Sequence, residues 1–175
     1  RDDLVVVVAS DTDFSAPTAD EEGSGVHVIL GGPAGPTPSG SQFFGPEALG
    51  FDRYSHMEMD PTLADFNGDG RDDLAGLWWQ DSAGENRVVV LHGHPDGLHR
   101  ASLAVAGTPG VDGFWATWRG GGQVAAGDVD GDGQVDLVLC AGSPAFVEVI
   151  PGTGSGLGAS FVGPRVGVPG LSDIQ

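Results

Sequence analysis

The chain reads Asp65-Phe66-Asn67-Gly68-Asp69-Gly70-Arg71-Asp72-Asp73-Leu74, and 63 residues later Asp128-Val129-Asp130-Gly131-Asp132-Gly133-Gln134-Val135-Asp136-Leu137. In each copy oxygen-bearing side chains alternate with spacers, two glycines allow a tight curl, and a final carboxylate closes the ring. A hard cation such as Ca²⁺ takes about six to eight oxygens at roughly 2.3–2.6 Å. The first loop offers the side chains of Asp65, Asn67, Asp69 and Asp73, and the second those of Asp128, Asp130, Asp132 and Asp136. The seventh position of each loop, Arg71 and Gln134, is expected to contribute its backbone carbonyl. A pair of ordinary acidic turns is the plainer reading, because Asn-Gly and Asp-Gly form turns without a metal. Four spaced oxygen ligands, repeated, exceed what a turn requires. An EF-hand needs a Glu at the twelfth loop position and flanking helices. Here the twelfth positions are Gly76 and Leu139, and the residues after each loop read as buried strand.

Working outward, the same register recurs. Arg1-Asp2-Asp3-Leu4 matches Arg71-Asp72-Asp73-Leu74, so Asp3 aligns with Asp73 and Asp136, and a third loop is expected to be truncated before Arg1. A second mark follows each of these aspartates: a Val/Ile/Leu strand and a turn with two glycines four apart, at Gly31 and Gly35, Gly93 and Gly97, Gly152 and Gly156. The aspartate-to-glycine spacings are 28, 20 and 16 residues. Repeats of this length built from short strands predict β-propeller blades. Each unit is expected to be a four-stranded antiparallel meander. The first strands are expected at 57–64 and 123–127, the second at 4–9, 74–79 and 137–141. The third are expected at 26–30, 87–91 and 146–150, and weaker fourth strands at 43–49, 101–106 and 160–168. The units run approximately 1–56, 57–122 and 123–175. Together they form one all-β segment over 1–175, about three blades of a larger propeller. Residues 111–122 read as a glycine-rich connection. The longest unit carries an acidic insertion at 10–25, expected on the side opposite the metal loops, and variable loops on a rigid scaffold often carry binding.

Composition narrows the function. The chain has 175 residues, 31 Gly and 12 Pro, which suits many short strands and turns. A formal net charge of −18 argues against nucleic acid, which needs Lys and Arg against its phosphates. No run of apolar residues is long enough to predict a membrane insertion. Cys140, the only cysteine, excludes an internal disulfide and reads as a small buried hydrophobe.

The loop residues, with Cys140-Ala141-Gly142-Ser143-Pro144 and Phe44-Gly45, resemble the FG-GAP, or integrin-alpha-type, repeats of calcium-binding β-propellers. The last two stretches resemble that family's Gly-Ala-Pro and Phe-Gly elements. The resemblance implies Ca²⁺ in two sites, in the hairpin between the first two strands of a blade. It implies an extracellular, secreted or cell-surface setting and roles in adhesion or ligand recognition. Three units fall short of the seven blades usual in the family. The missing blades then belong to a longer chain or to other chains.

Catalytic motifs are absent: no Gly-x-Ser-x-Gly elbow and no phosphate-binding glycine loop occurs. The sequence therefore predicts a non-enzymatic recognition module binding a protein or glycan. The alternatives are an accessory domain of a secreted glycan-active enzyme, with Glu58 or Asp60 as acid or base, and an assembly subunit completing a propeller. His92, His94, Asp96 and His99 form a potential transition-metal cluster, though histidines near a turn are more often plain surface residues. His56, Glu58 and Asp60 alternate and read chiefly as a solvent-facing strand edge. Of Trp78 and Trp79 at least one is expected in the core. Trp115 and Trp118 could equally pack or stack on a sugar.

Overall fold

Short Val/Leu/Ile runs between glycine turns become antiparallel strands, because a β-branched or aliphatic side chain suits a pleated surface and a turn glycine permits the reversal. The computed structural model describes residues 4–8, 25–51, 56–57, 61–80, 85–99, 115–116, 122–142 and 145–157. Three sheets form. The first has β1 (Leu4–Val8), β2 (Gly25–Gly32) and β3 (Gly35–Phe44). The second is built on β6 (Asp73–Gln80) and β7 (Glu85–His94). Its flanking rows are β4 (His56–Met57) and β5 (Thr62–Ala64) along β6, with β8 (Gly97–His99) and β9 (Trp115–Ala116) along β7. The third has β10 (Gly122–Gly127), β11 (Asp136–Gly142) and β12 (Ala145–Ile150). All pairings are antiparallel. The fold is all-β, as the alternation and turns predict, and the meandering sheets are blade-like.

The expected second and third strands are found within a few residues. The outermost ones need correction. Residues 45–49 are not strand: β3 stops at Phe44 and the chain enters a short 3-10 turn at Glu47–Leu49, closed by Gly50 in the left-handed region. Among the described residues the fourth row of the second sheet is β8, just ahead of the expected 101–106, together with β9, inside the expected glycine-rich connection. Residues 101–106, 160–168, Trp118, Glu58, Asp60 and Asp3 lie outside the described residues, as does the insertion at 10–25 apart from Gly25. Pro36 and Pro38 in β3 have no N–H to offer a further strand, which suits an edge position.

The sheets stack face to face. On β6 and β7, Leu74, Trp78, Val89 and Leu91 point one way, into a layer with Val26, Val28, Leu49, Phe51 and Leu98. Ala75, Leu77, Val88 and Val90 point the other way, against Val124, Leu137, Leu139 and Ile150. The period of two along a strand sends alternate side chains to opposite faces. A sheet buried on both faces must therefore be apolar at every position, and Val88-Val89-Val90-Leu91 is. Among the described residues the outer sheets bury one face only. That disposes of the expectation that Cys140 is buried: it alternates with Leu139 and is exposed.

One side chain joins the first two sheets as a strand would. The Gln42 amide accepts a hydrogen bond from the Leu98 N–H (2.7 Å) and donates one to the Leu98 carbonyl (3.0 Å). It acts as a single peptide unit at the edge of β8. Gly97 makes the approach possible, since a Cβ there would lie 2.1 Å from the Gln42 amide oxygen. Gln42→Ala is expected to lower stability by about 1 kcal/mol for each of the two bonds. Chemical denaturation checks this, and an unchanged midpoint would show that water replaces the amide at no cost.

Candidate metal loops

Both loops curl because their paired glycines take positive φ: Gly68 and Gly70 at 72° and 85°, Gly131 and Gly133 at 82° and 87°. Other L-residues enter that region at a steric cost. The curl turns backbone N–H groups toward the carboxylates. Asp65 accepts from the N–H of Asp69 (3.0 Å) and Gly70 (2.8 Å). Asp128 accepts from Gly131 (2.7 Å) and Gly133 (3.0 Å). The middle side chains follow the same pattern. Asn67 accepts from Asp69, Asp69 from Arg71, Asp130 from Asp132, and Asp132 from Gln134.

The ninth-position aspartates differ from the rest. Asp73 and Asp136 are 0 % and 1 % exposed. Asp73 accepts from the Phe66 N–H (3.1 Å) and the Gly93 N–H (2.8 Å). Asp136 accepts from the Val129 N–H (2.8 Å) and the Gly152 N–H (2.9 Å). Each carboxylate thus ties the start of its own loop to the glycine turn after the third strand. The two recurring sequence marks are therefore two ends of one contact. Glycine is needed at the turn because the backbones nearly touch. A Cβ on Gly93 would lie 2.4 Å from the Asp72 carbonyl oxygen, and one on Gly152 would lie 2.4 Å from that of Val135.

The second loop gathers its carboxylates more closely. Carboxylate oxygens of Asp128, Asp130 and Asp136 lie within 4.8 Å of one another. Two ligands at roughly 2.4 Å on either side of one Ca²⁺ can be about 4.8 Å apart at most, so the spacing fits. Each carboxylate has about four lone-pair sites, which leaves acceptor capacity beyond the backbone bonds. Asp132 belongs to the same turn. In the first loop Asn67 replaces the carboxylate of Asp130, and its amide nitrogen lies 3.2 Å from His92 Nδ1. His92 Nδ1 also lies 3.2 Å from Asp73 Oδ2, whereas Pro151 occupies the corresponding place by the second loop. The first loop thus offers fewer charges and carries an imidazole that sequence reasoning had assigned to the neighbouring turn. When bound, Ca²⁺ would supply positive charge to these carboxylates and nothing further.

The first loop is also an apolar anchor. Phe66, at the second loop position, is 1 % exposed and fills the layer between the second and third sheets. Residues 65–139 match the family model of the FG-GAP-like repeat. No curated protein and no solved structure matches the chain. The FG-GAP-like stretch begins at Asp65 and ends at Leu139, so it takes in both loops and the strands β6 to β9 of the second sheet between them. Val129 in the second loop of the FG-GAP-like stretch corresponds to Phe66, yet it is 56 % exposed.

Elsewhere, Trp78 is fully buried and stacks on Phe51 with ring centroids 5.5 Å apart. On the β7–β8 hairpin His94, Asp96 and His99 come together, while His92 faces the first loop. Hydrogen bonding from His94, with a smaller contribution from His99, holds the Asp96 carboxyl below its ordinary value. The side chain of His56 lies outside the described residues.

Proposed function

We propose that this protein is a Ca²⁺-stabilised propeller segment that serves as a non-catalytic recognition or adhesion module outside the cell, binding a protein or glycan ligand. The convergence of the Asp128, Asp130 and Asp136 carboxylates around a space of ligand-to-ligand width is the observation that carries the metal part of this reading. The FG-GAP-like stretch supports it. The metal acts structurally: it neutralises carboxylates that repel one another, and it binds the folded loop only. Such binding stabilises by RT ln(1 + [L]/Kd), about 2.7 kcal/mol per site at 100 Kd. Calorimetry is expected to show Ca²⁺ uptake, and EDTA to lower the melting temperature by several degrees. Unchanged melting together with no heat of Ca²⁺ binding would reject the metal. The second loop, with four carboxylates against three, is expected to bind more tightly, because ligand charge tunes affinity.

Further blades are part of the proposal. The second sheet is covered on both faces, while the exposed Phe43 on the first sheet and Val129 beside the third suit neighbours of the same kind. Recognition is tested on glycan and extracellular-protein arrays with Ca²⁺ present. Product release from a panel of glycosidase substrates would replace the recognition reading with an enzymatic one.

A further inference from the structure

We propose that His94, Asp96 and His99, on the β7–β8 hairpin, form a binding site for a divalent transition-metal ion such as Zn²⁺. The site is separate from the oxygen loops and of different chemistry. In the hairpin His94 pairs with Gly97 and His92 with His99, so His94 and His99 project from one face. The turn residue Asp96 folds its carboxylate between them. His94 Nδ1, Asp96 Oδ1 and His99 Nε2 lie within 4.8 Å of one another. Asp96 Oδ1 is 2.8 Å from His99 Nε2 and also contacts His94 Nδ1. The two imidazoles are stacked, with centroids 4.1 Å apart. All three residues are exposed, so an ion can reach them directly.

Zn²⁺ binds imidazole nitrogen and carboxylate oxygen at about 2.0–2.2 Å, and tetrahedral donors at that radius lie about 3.3–3.5 Å apart. A modest swing of the exposed Asp96 carboxylate opens the cluster to that spacing. The ion then takes the place of the hydrogen bonds between the carboxylate and the rings. Imidazole donors favour Zn²⁺, Cu²⁺ or Ni²⁺ over Ca²⁺, whose preference is oxygen. The scaffold beneath is fixed. Leu98, on the opposite face, is buried in the layer between the first two sheets, and Gln42 clamps its backbone. Three protein ligands leave at least one position for water or an exogenous donor.

The test is Zn²⁺ titration of the chain with the oxygen loops saturated by Ca²⁺, followed by calorimetry. His94→Ala and His99→Ala are each expected to weaken Zn²⁺ binding at least tenfold while leaving the melting temperature in Ca²⁺ unchanged. A smaller loss in both variants overturns the site. Nitrogen-15 NMR of the unsubstituted protein gives an independent reading. Zn²⁺ should shift the ring nitrogens of His94 and His99 and spare those of His27, and no selective shift would equally overturn it.

Discussion

Trp78→Ala is expected to destabilise the protein by about 3–5 kcal/mol, the range for deleting a large buried aromatic. Trp78 is the largest of the fully buried side chains and belongs to the layer between the first two sheets. Its ring lies nearly parallel to that of Phe51, at 4°. Removal would leave a cavity between two sheets whose backbones are held by ladders on either side, so collapse into the space is limited. For a chain of this size the loss corresponds to a melting temperature lower by about 6–20 °C. The indole N–H has no acceptor among the described residues. Trp78→Phe should therefore cost much less than the alanine change, because it removes an unpaired polar group along with part of the volume. Calorimetric unfolding of the two variants side by side decides the matter. A loss below 1 kcal/mol for alanine, or equal losses for both, would mean that Trp78 is not a packing keystone.

Asp136→Ala is expected to act twice. Its carboxylate is almost wholly buried and is the acceptor for the N–H groups of Val129 and Gly152. Removing it leaves two backbone donors without their partner, at about 1–3 kcal/mol each. This loss should appear in EDTA, with no metal involved. In Ca²⁺ the variant should also fail to gain stability, because a ligand is gone. Asp130→Asn separates the two effects. Asp130 is exposed and bonds only within the turn, to the Asp132 N–H among the described contacts. It should reduce the Ca²⁺ gain while leaving stability in EDTA close to that of the parent. Denaturant unfolding of both variants with and without Ca²⁺ gives the four numbers required. Equal stability of Asp136→Ala and the parent in EDTA would show that the buried contacts contribute nothing.

The curl of the loops could be read from sequence because its logic is local: the oxygen-bearing side chains, spacers and positive-φ glycines all fall within nine consecutive residues. The central strands were equally legible, since Val88-Val89-Val90-Leu91 has apolar side chains for two faces. The burial of Cys140 was misjudged for the same reason. Leu137-Val138-Leu139-Cys140 resembles a strand buried on both sides, and only the stacking order reveals that β11 lies in an outer sheet. The described parts of the fourth row, β8 and β9, span three and two residues, too short to express a period in the sequence. The joining of Asp73 to Gly93 spans 20 residues, and that of Asp136 to Gly152 spans 16. The sequence shows both ends of each contact but not the hydrogen bond between them.

Each of these hydrogen bonds clamps one end of a hairpin. β6 and β7 are held together at Asp73 and Gly93 and remain paired down to Gln80 and Glu85. The Gln80–Glu85 pair lies at the far end of the ladder from the clamp, and the link between the two in sequence is longer than the corresponding one between β11 and β12. Doubling a flexible connection costs only about 0.6 kcal/mol in closure entropy. The distal end of each hairpin is thus the natural grafting point: new segments can be spliced in there while the clamped end keeps its geometry.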